Sequence, residues 1–133
     1  MEKKRILIID DEMSFTRMVK LNLERTGEFE VREENKATAA IAAAREFKPD
    51  LILLDVIMPT MDGGDISNRI QNDKLLRGTP IIFLTATVSQ REAGAKGLNS
   101  GGALFLAKPV SLENLIQHIK ENLRPEPEAE NPA

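Results

Sequence analysis

Four short runs of uninterrupted apolar residues punctuate the chain: Ile6–Ile9, Leu51–Leu54, Ile81–Leu84 and the weaker Ala103–Leu106. Each is of strand length. An unbroken run, in contrast to an alternating one, predicts a strand covered on both faces, as in a parallel sheet flanked by helices. Phe29–Glu34 is a fifth candidate, and its charges suit an edge strand that meets water on one side.

Between these runs the apolar residues recur at helical spacing. Phe15, Met18, Val19 and Leu23 form a stripe within Met13–Arg25, and Ala40, Ile41, Ala44 and Phe47 form another within the Ala-rich stretch from Ala37 to Phe47. The clearest stripe is Leu112, Leu115, Ile116, Ile119 and Leu123, with Ser111 placed as its N-cap. Segments 64–76 and 89–99 are less periodic but fall where a helix is expected. Gly94 and Gly97 make 89–99 the least stable of the predicted helices, because each internal Gly costs about 1 kcal/mol against Ala.

The order is therefore βα, repeated five times. That order predicts an α/β fold, a parallel sheet with right-handed crossovers and helices on both faces. Short linkers are expected at Lys48-Pro49-Asp50, Thr60–Gly64 and Gly78-Thr79-Pro80. The expected organisation is one domain over residues 1–124. An acidic, Pro-rich tail follows over 125–133, which has no apolar face to bury and is expected to be disordered.

Composition narrows the function class. The 133 residues suit one domain of ordinary size. There is no cysteine, which excludes disulfides and thiolate metal sites. The net charge of −3, with acids and bases interspersed, argues against a nucleic-acid surface. The apolar runs are far shorter than the roughly 20 residues that span a bilayer, so no membrane insertion is expected.

In open α/β sheets, ligands bind beyond the carboxyl ends of the strands. Here those ends carry Asp10-Asp11 with Glu12 next, Asp55, Thr85 and Lys108-Pro109. Three carboxylates, a hydroxyl and an amine thus converge on one edge from distant positions. Carboxylates crowded in a partly dry site repel one another, and a hard divalent cation relieves that repulsion. Mg²⁺ suits such a site because it accepts a few carboxylates, keeps waters and completes its shell with phosphate oxygens. A central carboxylate with a cation on one side and an ammonium on the other suits phosphoryl transfer to that carboxylate.

The acidic pair, the run Leu53-Leu54-Asp55-Val56-Ile57-Met58-Pro59-Thr60-Met61-Asp62-Gly63, the Leu84-Thr85-Ala86 ending and the Phe105-Leu106-Ala107-Lys108-Pro109 ending resemble the signatures of bacterial response-regulator receivers. The resemblance covers roughly residues 4–123 and is closest in kind to single-domain chemotaxis regulators. It implies a flavodoxin-like five-stranded sheet in the order 2-1-3-4-5. It also implies roles: Asp55 as phospho-acceptor, with Asp10, Asp11, Asp55 and the Ile57 backbone carbonyl as Mg²⁺ ligands. Thr85 would hydrogen-bond the phosphoryl group, Lys108 would pair with it, and Phe105 would swing inward as Thr85 moves. Lacking that phosphoryl partner at rest, Lys108 is expected to contribute little to folding.

The implied function is a phosphorylation-dependent switch of a two-component system. It would take its phosphoryl group from a sensor histidine kinase or a histidine phosphotransfer protein, and would catalyse only its own phosphorylation and dephosphorylation. It would then bind a downstream protein target through the face of helix 4, strand 5 and helix 5, in the cytoplasm. Two departures from the family pattern bear on partner choice: Gly101-Gly102-Ala103-Leu104 replaces acidic residues, and the switch aromatic is Phe.

The alternative is a receiver fragment of a longer regulator or hybrid kinase. A phosphatase of the haloacid-dehalogenase type also uses an aspartate nucleophile and Mg²⁺, but needs an acid two residues on, where this chain has Ile57. His118, with no second ligand at metal spacing, reads as a surface residue. Asp65, Asp73 and Lys74 read as a solvated helix face, and Asp62-Gly63-Gly64 as a turn and not a nucleotide loop.

Overall fold

Strand β1 (Lys4–Ile9) lies between β2 (Phe29–Glu34) and β3 (Leu51–Asp55), with β4 (Ile81–Thr85) beyond β3 and β6 (Ala103–Ala107) beyond β4. These five strands are parallel, in the predicted order. The computed structural model describes residues 2–59, 61–86, 98–100 and 103–123, with backbone alone for 98–100 and 103. The expected tail at 125–133 lies outside the described residues, as do 89–97 of the expected fourth helix and the Gly101-Gly102 pair.

Side chains alternate across each strand, so each apolar run feeds two cores. Ile6, Ile8, Leu51, Leu53, Ile82, Leu84, Leu104 and Leu106 face one side. There they meet Val19 and Leu23 of α1 (Met13–Arg25) and Leu115 and Ile119 of the C-terminal helix α4 (Leu112–Asn122). Leu7, Ile9, Ile52, Leu54 and Phe83 face the other side. They meet Ala40, Ala43 and Ala44 of α2 (Ala40–Phe47) and Ile66 and Ile70 of α3 (Gly63–Gln71). The unbroken runs are unbroken because both faces are buried. Ala37–Ala39 enters α2 as a short 3-10 turn.

The structure differs from the sequence reading at several places. The helix expected over 64–76 ends at Gln71, with Asn72 as its C-cap. Leu98–Ser100 forms a short strand, β5, antiparallel to β6 at the sheet edge, where the end of a helix was expected. Gly63 and Gly64 are the first residues of α3, with Asp62 as N-cap: its Oδ1 accepts from the Asp65 N–H at 2.9 Å. Asp73 is buried and not on a solvated face. Its carboxylate lies 2.6 Å from Arg45 and accepts from the Leu75 N–H at 2.9 Å. His118 is also buried, since it stands three residues after Leu115 on the stripe that α4 turns to the core.

A candidate phosphoryl-acceptor and metal site at the carboxyl edge of the sheet

Parallel pairing brings the carboxyl ends of β1, β3, β4 and β6 to one edge. Asp10 continues the β1–β2 pairing by donating its N–H to the Glu34 carbonyl at 3.1 Å. Its side chain is fully buried, and its Oδ1 accepts from the Glu12 N–H at 2.9 Å. Asp11 is exposed. Asp55 ends β3 and is buried. Asp10, Asp11 and Asp55 each offer an oxygen within 4.8 Å of the others.

Lys108 follows β6, and its backbone N–H donates to the Thr85 carbonyl at 2.9 Å. This bond ties the β6 exit to the end of β4. The Lys108 ammonium lies 2.6 Å from Asp10 Oδ2, 3.4 Å from Glu12 Oε1 and 3.7 Å from Asp55 Oδ1. The Phe15 ring centroid is 4.5 Å from the same nitrogen, a cation–π contact. Lys108 therefore has carboxylate partners at rest, where the sequence reading considered only a later phosphoryl partner.

These charges set the proton affinities. Burial, then the Asp10 charge, pushes the Asp55 carboxyl up to about 6, with Asp11 adding to the rise and Lys108 and the Ile57 N–H opposing it. For Lys108, burial pulls down, but the bond to Asp10 and the charges of Asp10, Asp55 and Glu12 outweigh it, so its pKa is raised. The amine stays an ammonium, and most of the Asp55 population is a carboxylate at neutral pH.

Thr85 is buried at the end of β4 and stands opposite Ala107. Phe105 stands opposite Phe83 and stacks on it, with centroids 4.8 Å apart and planes at 15°. By strand alternation Thr85 lies on the same sheet face as Phe83 and Phe105. Ile57, two residues past Asp55, presents an exposed side chain. Asp10, Asp11, Asp55, Ile57, Thr85 and Lys108 thus lie at or beside one edge, with Phe105 two residues before the end of β6.

A polar support was not foreseen. Asn35 Nδ2 donates to the Asp10 carbonyl at 2.9 Å and to Thr16 Oγ1 at 2.9 Å, and Thr16 Oγ1 in turn lies 2.8 Å from Glu33 Oε1. The available signal was positional: Asn35 follows β2 as Asp10 follows β1. Phe15 carried no signal beyond its place in an apolar stripe.

The donor set fits a hard divalent cation: three carboxylate oxygens within mutual reach, two of the carboxyls buried. No described helix is long and apolar enough to cross a membrane.

The family model described as response regulator receiver domain matches residues 6–120. The chain is 33% identical over 120 residues to the DNA-binding dual master transcriptional regulator RpaA of Synechocystis sp., covering 90% of this chain and 49% of that protein. It is 35% identical over 129 residues to the transcriptional regulatory protein TrcR of Mycobacterium tuberculosis, covering 97% and 49% respectively. It thus spans about half the length of these curated relatives.

Among solved structures, the chemotaxis protein CheY4 of Vibrio cholerae matches with a TM-score of 0.77 at 29% identity, over 92% of this chain and 100% of that one. A CheY-like response regulator receiver domain protein from Methanospirillum hungatei matches with a TM-score of 0.74 at 31% identity, over 90% and 93%. The chain belongs to the response regulator receiver domain family, the signalling switches of two-component systems.

Proposed function

We propose that the chain is a phosphorylation switch in which Asp55 accepts a phosphoryl group from a phosphohistidine of a sensor kinase or phosphotransfer protein. The observation that carries this reading is the setting of Asp55: a buried carboxylate at the end of the central strand, with oxygens of Asp10 and Asp11 within 4.8 Å and the Lys108 ammonium 3.7 Å away. An Asp55 oxygen forms the new P–O bond as the P–N bond of the donor breaks. The imidazole leaves with the electron pair and takes a proton, and an acyl phosphate remains.

Asp10, Asp11, Asp55 and the Ile57 carbonyl would hold Mg²⁺, which supplies charge neutralisation for the phosphoryl oxygens. Lys108 gives its ammonium to the same oxygens, and Thr85 donates its hydroxyl. When Thr85 moves toward the phosphoryl group, Phe105 takes the space it leaves, and the face built by β6 and α4 changes shape. A population shift of this kind is the signal passed to a downstream protein.

The test is incubation with acetyl phosphate and Mg²⁺. The expected result is one stable phosphoryl adduct per chain, abolished by chelator. Sustained phosphate release would favour a phosphatase instead, and no adduct with no release would overturn the switch.

A further inference from the structure

Asp10 has both carboxylate oxygens engaged at rest. Oδ1 accepts from the Glu12 N–H at 2.9 Å, and Oδ2 lies 2.6 Å from the Lys108 ammonium. A cation held by Asp10, Asp11 and Asp55 would compete with that ammonium for Oδ2 and repel it. Lys108 must therefore loosen from Asp10 whenever the cluster is loaded, while staying near enough to meet a phosphoryl group on Asp55. Among its resting partners, the carboxylate outside the candidate ligand set is Glu12, whose Oε1 is already 3.4 Å from the ammonium. The Glu12 side chain is 61% exposed, so it has room to follow. Phe15, with its ring centroid 4.5 Å from the nitrogen, offers the displaced ammonium an aromatic face beside that carboxylate.

We infer that Glu12 is a positioning residue: it takes over the Lys108 ammonium when a divalent cation occupies the acidic cluster. It thereby eases metal binding and keeps Lys108 close to Asp55. The inference rests on the metal-binding reading above. It assigns to Glu12 an action through Lys108, distinct from adding one more negative charge near the metal.

A double-mutant cycle separates those two actions. Mg²⁺ is titrated calorimetrically into the full chain and into the Glu12→Gln, Lys108→Met and doubly substituted chains. Action through Lys108 predicts that Glu12→Gln weakens Mg²⁺ binding by about fivefold when Lys108 is present and by less than about twofold when it is Met. Equal factors in the two backgrounds, or no weakening in either, would overturn the inference while leaving the metal site standing. Failure of the unsubstituted chain to bind Mg²⁺ would overturn the metal site as well.

Should Lys108→Met not fold, the Hε protons of Lys108 decide the matter. In the Mg²⁺-saturated chain they stay inequivalent, the mark of a held side chain, and they merge in Glu12→Gln. Identical behaviour in both chains would count against Glu12.

Discussion

Gly63 packs directly behind Asp55: a Cβ at position 63 would stand 2.6 Å from the Asp55 carbonyl oxygen and 2.9 Å from the Val56 Cα. The Gly63 N–H also donates to the Val56 carbonyl at 2.7 Å. The start of α3 is thus pressed onto the turn that carries the candidate acceptor, and both obstructing atoms are backbone.

Gly63→Ala is therefore expected to destabilise the protein, although Ala is the better helix former by about 1 kcal/mol. Overpacking against backbone costs about 1–3 kcal/mol, and relief requires α3 or the Asp55 turn to shift. Gly64→Ala is the milder control, since its Cβ would meet the Asp62 side-chain oxygen at 3.2 Å. Urea unfolding of the two variants checks the order. A Gly63→Ala chain as stable as the parent, with unaltered phosphorylation, would contradict the close-packing account.

The acidic site works against folding when no metal is bound. The Asp55 carboxyl rises from an ordinary 3.8 to about 6 in the folded chain. Between those values the folded state keeps a proton that the unfolded chain has released, so stability falls as pH rises through that window. Above it the full penalty is present, roughly 3 kcal/mol for a shift of about two units. In chelator, Asp55→Asn is expected to be more stable than the parent by about 2–3 kcal/mol near neutral pH, with the gap closing toward about pH 4. Thermal unfolding across that range is the check, and a gap independent of pH would count against the burial and charge assigned to Asp55.

Lys108 counters part of that repulsion. Lys108→Met removes the ammonium 2.6 Å from a fully buried Asp10 and leaves the carboxylate cluster without its internal cation. Without metal the variant is expected to lose on the order of 3 kcal/mol, because removing one partner strands a buried charge. Saturating Mg²⁺ should recover most of the loss and bind more tightly than in the parent. Equal losses with and without Mg²⁺ would show that Lys108 and the metal do not share Asp10.

Legibility in the sequence followed burial. Ile6–Ile9 and Leu51–Leu54 were readable as strands because burial on both faces leaves no polar position to interrupt them. Asp10, Asp55, Thr85 and Lys108 were readable as one set because parallel strands bring their carboxyl ends together whatever their separation in the chain. The contacts between side chains were not readable. Asp73 looked solvated because its partner Arg45 is 28 positions away. His118 looked exposed because it is a lone histidine with no partner ligand at metal spacing, yet its place three residues after Leu115 turns it to the core. Leu98–Ser100 has too few residues to show a period, so its pairing with β6 emerged only in three dimensions. Asn35 and Glu12 reach the site through a hydrogen bond and an ion pair at close range, which no periodicity encodes.

The central claim is that Asp55 carries the phosphoryl group, and intact-mass and peptide mass spectrometry test it most directly. After incubation with acetyl phosphate and Mg²⁺, the unsubstituted chain is predicted to gain one phosphoryl group, mapped to the peptide containing Asp55, and Asp55→Asn is predicted to gain none. A full adduct on Asp55→Asn, or mapping of the group to another residue in the unsubstituted chain, would contradict the account.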